Sequence, residues 1–199
     1  MTEPGEPVRN EPGGRAQRGP TDGDELLRLV SAWTIGLDTL ARAAAAAVTA
    51  SAEAQLRSAT ADALSGRFAD WAFVDFLSSS SPRRAVSARQ PDPGLAAALG
   101  AVPAESCPVI KSAVQHCTPQ VRAAIDDQWM LGSLPDGRPV ASAIGAQSVA
   151  VGPILFSGAA RGAITVVRCT GAPRLGFREL GILSQVGRLA GAAMDRLRR

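Results

Sequence analysis

The chain has 199 residues, nearly half of them hydrophobic, and a formal net charge of +3, which suits one globular domain with a sizeable core. No Lys/Arg block falls on a predicted helix, so the charge balance argues against a nucleic-acid partner. The longest uncharged apolar run, Ala43 to Ala52, is too short to span a bilayer, and the N-terminus lacks the apolar core of a secretory signal, so a cytoplasmic protein with no membrane partner is expected. All but one of the 21 basic residues are arginine, a bias of the kind a high-GC bacterial genome produces.

Residues 1–23, MTEPGEPVRNEPGGRAQRGPTDG, are dominated by Pro, Gly and charge. Such a stretch cannot bury enough apolar surface to order itself and is expected to form a disordered tail. From 24 to 52 a helical extension is expected, its helix running to about residue 48. Leu26, Val30, Trp33, Leu37 and Leu40 recur there at alternating four- and three-residue steps. This seam is the candidate dimer interface, because a long helix exposes such a stripe unless something covers it. A second helix is expected over 53–64, closed by Gly66.

DWAFVDFL (70–77) reads as a strand of aromatic and β-branched residues, and RRAVSAR (83–89) as its returning partner across the serine run 78–81 and Pro82. Period-two alternation puts Trp71, Phe73 and Asp75 on one face and Ala72, Val74 and Phe76 on the other. From Pro91 to Pro139 the pattern is irregular, with short helices near 94–99 and 108–115. Residues 121–130 are ambiguous, a fifth strand being allowed near 120–131, and Asp136-Gly137 marks a turn. SVAVGPILF (148–156) and GAITVVRC (162–169) form a hairpin across SGAAR. A final helix over 176–198 carries two adjacent apolar stripes, wide enough to meet a sheet and a second surface, and ends in arginines that suit a helix C-terminus. The order predicts an α+β domain. Its antiparallel sheet has the long N- and C-terminal helices on one face and the variable middle covering a pocket on the other.

Two of the three cysteines and the only histidine fall in SCPVIKSAVQHC, residues 106–117. Pro108 belongs in a first helical turn, so the helix starts near Cys107. Ten helical steps put Cys107 and Cys117 about 15 Å apart, too far for a disulfide. Ligand spacing for a metal is lacking, and no metal site is assigned. Cys169 ends a strand and is expected to pack there.

DWAFVDFL with its arginine-rich second strand, the SVAVGPILFSGAARGAITVV hairpin and the closing helix from Phe177 together resemble a GAF domain, here spanning 53–199. The likeness is to GAF sensor modules of high-GC bacterial signalling proteins, those associated with serine phosphatases or histidine kinases. It implies a non-catalytic regulatory or sensory module of signal transduction, a homodimer that binds a small-molecule effector or a signalling-protein partner. With no effector domain after the last helix, a stand-alone module is expected. The resemblance also implies a pocket on the Trp71 face, with Trp71, Phe73 and Asp75 in its wall and Cys107, His116, Trp129 and Met130 as further candidates from the middle segment. No cofactor is assigned. His116 as a haem ligand ranks below a surface histidine.

An enzyme on this scaffold is the alternative. Free methionine sulfoxide reductases are GAF proteins with a cysteine where Cys107 stands. Their second cysteine would fall near Ala141–Ala146, and their acids at about Val149, Thr165 and Val167, where this chain has none. The bilin order of cysteine then histidine is reversed in His116-Cys117, and cyclic-nucleotide, dinucleotide and P-loop signatures are missing. A ligand-free interaction subunit is the third reading.

Overall fold

The computed structural model describes residues 22–77, 84–90 and 92–199. The expected tail, but for Asp22 and Gly23, and the serine turn before Arg84 lie outside the described residues.

Helix α1 (Asp22–Thr49) folds back on α2 (Glu53–Leu64), and strands β1 (Trp71–Phe76) and β2 (Ala85–Ala88) follow. The middle segment holds α3 (Pro93–Gly100), α4 (Pro108–His116), β3 (Gln120–Arg122) and the short α5 (Val140–Ala143). The chain ends with β4 (Ala146–Phe156), β5 (Ala159–Cys169) and α6 (Phe177–Leu197). The five strands form one sheet in the order β2-β1-β5-β4-β3, every pairing antiparallel. The expected α+β layering is found. The ambiguous stretch after Thr118 supplies the edge strand β3, pairing Val121 with Ala150.

The β4–β5 loop is shorter than the sequence suggests. Ser157 and Gly158 both have positive φ, at 48° and 78°, as a two-residue type I′ hairpin requires, so both strands run on to meet at this turn. Helix α5 is the element that the sequence pattern misses, since one turn of VASA carries no periodicity.

The sheet separates two cores. On one face Ala72, Val74 and Phe76 of β1 join Ile154, Ile164 and Val166 beneath α2 and α6. On the other, Trp71, Phe73, Val149, Val151 and Val167 pack against α4 and the loops around it. Small residues let α6 lie close on β4: a Cβ added to Gly187 would fall 2.5 Å from the Pro153 carbonyl, and one on Gly191 would strike the Leu155 carbonyl.

Helices α1 and α6 run parallel. Gly36 meets Ile182 near the start of α6, and near its end the Arg196 guanidinium donates to the carbonyls of Ala47, Val48 and Ala50 at 2.6–3.1 Å. Arg196 therefore caps the C-terminus of α1 rather than of its own helix. Thr39, Ala43, Ala46 and Ala50 are buried and mark the side of α1 that faces the domain. With this register α1 outruns the start of α6 by its first nine residues or so, about 13 Å of helix. The overhang accounts for the exposure of Leu26 and Val30, at 62% and 55%, while Trp33 and Leu37, at 56% and 62%, lie alongside α6 on the side of α1 turned away from the domain. Leu40, further along, is partly buried against the domain's own core.

Candidate functional site

Asp75 is the last residue of β1 but one and lies on the Trp71–Phe73 face. Strand register explains its partner. Pairing runs Trp71 to Ala88 and Val74 to Ala85, so the next cross-strand pair is Asp75 with Arg84. The Arg84 Nε donates to both carboxylate oxygens, at 3.0 and 3.2 Å, with both side chains almost wholly buried. The guanidinium carbon stands 5.1 Å from the centre of the Phe73 ring, an added cation–π contact. Its Nη2 donates to the Cys107 sulfur at 3.3 Å, and the Cys107 thiol donates to the Leu131 carbonyl at 3.0 Å.

Burial pushes the Asp75 carboxyl above its ordinary value, against the pull of Arg84. Burial also works against the charge of Arg84, but Asp75 and Cys107 together more than offset it, and its pKa rises. The result is a closed polar cluster within an apolar layer. Charges buried this way are tolerable only because they are paired and hydrogen-bonded to one another. One group on this face is unmatched. Thr165, opposite Phe73 in the ladder, is fully buried, and its hydroxyl has no hydrogen-bond partner among the described residues.

The sequence candidates divide between this cluster and the surface. Trp71, Phe73 and Cys107 belong to one buried layer and Asp75 is buried beside them, with Met130 partly buried at its margin. Trp129 is 53% exposed. His116 is exposed at the end of α4, its Nδ1 2.9 Å from the Ser112 carbonyl. Cys117 caps the same helix in a left-handed conformation, so α4 separates it from Cys107. Cys169 donates to the Ile144 carbonyl, and burial, then the charge of Asp70, pushes its thiol up to about 11. No group of three or more His, Cys, Asp or Glu among the described residues could hold a metal. Arg84 is the residue that sequence reasoning misses. The signal that finds it is the hairpin register, which sets Arg84 opposite Asp75.

No family model and no curated protein matches the sequence. Solved structures do. The chain is similar to the GAF domain of a phosphoenolpyruvate-protein phosphotransferase from Coxiella burnetii, at 11% identity over 83% of this chain and 95% of that one, with a TM-score of 0.58. It is similar to the GAF domain of the Acinetobacter phosphoenolpyruvate-protein phosphotransferase, at 12% identity over 80% and 92%, TM-score 0.57. It is also similar to a GAF domain from A. aeolicus in an inactive state, at 12% identity over 84% and 99%, TM-score 0.56. At these identities the likeness is one of architecture, and on that ground the chain has the fold of a GAF domain.

Proposed function

We propose that this chain is a non-catalytic regulatory module of bacterial signal transduction, acting through protein contacts in the cytoplasm and self-associating through the outer seam of α1. The GAF-domain neighbours include modules of sensory and regulatory proteins. No helix among the described residues is long and apolar enough to cross a membrane. The observation that carries the reading is the outer stripe of α1, along which four large apolar side chains stand more than half exposed. Covering the exposed halves of these side chains returns about 1 kcal/mol each, or about 8 kcal/mol across two copies, before the cost of association. A two-fold pair of α1 helices covers all of them. The buried Asp75–Arg84–Cys107 cluster supports a role without catalysis, since its groups are turned on one another and away from solvent.

Sedimentation tests this. The wild type is expected to be a dimer at micromolar concentration, and Val30→Glu with Leu37→Glu a folded monomer. A monomeric wild type would refute self-association. A second reading rests on Thr165. Its orphaned hydroxyl, central on the aromatic face, favours a small effector or a water seated there, and one such neighbour binds biliverdin.

A further inference from the structure

Beneath the N-terminal half of α1 lies a cleft of about 1140 Å³, walled by α1 on one side and by the turn from Pro173 into α6 on the other. A second cleft, of about 740 Å³, shares Ile35, Arg168 and Pro173 with it and continues past Trp71 to Arg89 and Gln90 beyond β2. The two make one channel. Its apolar lining comes from Leu29, Trp33, Ile35, Phe68, Leu175 and Ile182.

The charges along it are unbalanced. Arg28, Arg174 and Arg178 line the first cleft, and Arg67 and Arg89 the second. None of these five side chains makes an ion pair or hydrogen bond with a described residue. The carboxylates present are mostly committed. Asp70 is held by Arg168 and the Cys169 amide, and Glu179 accepts from the Gly176 amide, which leaves Glu25.

An apolar channel flanked by guanidinium groups that are unpaired among the described residues selects its occupant by charge and shape. Guanidinium forks match carboxylates, and an apolar floor between them matches a helix with apolar residues on one side and acids along its edges. The channel exceeds the volume usual for small-molecule sites. A second copy seated on the α1 seam meets the channel only at Trp33, which belongs to both, because Leu26, Val30 and Leu37 point roughly 140° round the helix from the side of α1 that faces the domain. The geometry points to this channel as the docking groove for an acidic amphipathic segment of a partner protein. The assignment deepens the proposed regulatory reading by giving the partner its chemistry, and it does not depend on self-association.

The probe is a fluorescein-labelled helical peptide of about 18 residues, leucine on its apolar stripe and glutamate elsewhere, with a lysine-for-glutamate copy as control. The full chain should bind the acidic peptide saturably, losing at least about tenfold in affinity when the salt is raised from low to high, and should not bind the basic copy. Arg174→Glu with Arg178→Glu should weaken binding by about tenfold or more. Both positions are exposed, and at 178 glutamate suits the first turn of α6. Arg188→Glu, exposed on α6 outside the channel, should leave binding unchanged. No saturable binding, equal binding of both peptides, indifference to the Arg174/Arg178 change, or preference for phosphatidylglycerol vesicles over the peptide would each overturn the assignment. Sedimentation of the same samples separates the two claims: monomers that still bind the acidic peptide defeat self-association alone.

Discussion

Replacing Arg84 by Met tests whether the aromatic face is closed by a charge pair. The change keeps an extended apolar stem but strips Asp75 of the guanidinium that contacts both its oxygens at 3.0 and 3.2 Å. Removing one partner of a buried pair typically costs about 3–5 kcal/mol, which for a chain this size is a fall in Tm of roughly 6–20 °C. The loss should depend on pH. Arg84 and, more weakly, Arg57 pull the Asp75 carboxyl down, while burial and Glu105 push it up from 3.8. Without Arg84 the folded value moves further up. Between the unfolded and folded values the native state then holds a proton that the unfolded chain has lost, so stability falls as pH rises through that window. The Arg84→Met penalty is therefore smallest near pH 4 and grows toward neutrality. Asp75→Leu in the same chain should return most of the loss, because a buried pair exchanged for apolar groups is roughly neutral. Urea unfolding followed by tryptophan fluorescence measures all four corners of the cycle. Single changes that cost under about 1 kcal/mol and simply add would refute the reasoning, since additivity marks groups that do not interact.

Gly191→Val should destabilise by about 3 kcal/mol or more, read from the urea midpoint, because any Cβ there meets the Leu155 carbonyl and lifts α6 off β4. With iodoacetamide at pH 8 and mass spectrometry, the exposed Cys117 should label first, and Cys107 and Cys169 slowly. The Cys169 thiol, raised from 9.0 to about 11, should begin to react as pH climbs toward that value, and its contribution to stability should decline over the same interval, the folded state there holding the extra proton. Cys107→Val should cost about 1–3 kcal/mol in the same urea assay by orphaning the Leu131 carbonyl and one Arg84 donor, whereas Cys107→Ser, which keeps a donor and an acceptor, should cost less.

The layers and strand faces were legible in the sequence because they follow from periodicity. The alternation in WAFVDF puts Trp71, Phe73 and Asp75 on one side, and the apolar arc of α6 demands both a sheet and α1. Where position was set by contacts distant in sequence, the pattern fell short. Trp129 gives no local sign of facing solvent, and the docking of α6 hangs on what Gly187 and Gly191 lack. The Asp75–Arg84 pair falls between these cases. Once the hairpin register is known the pair is evident, but the sequence offers the strands without their register. The α1 seam was legible as a stripe; its exposure follows from which side of α1 faces the domain and from the register of α1 against α6, and neither is written in the local pattern.

Native mass spectrometry of the freshly purified full chain tests the central claim most directly. A module that works through protein contact, with its aromatic face sealed by Arg84, should fly as a dimer at twice the polypeptide mass with no stoichiometric adduct. A monomer, or a species carrying one small molecule per chain that is lost on denaturation, would contradict it.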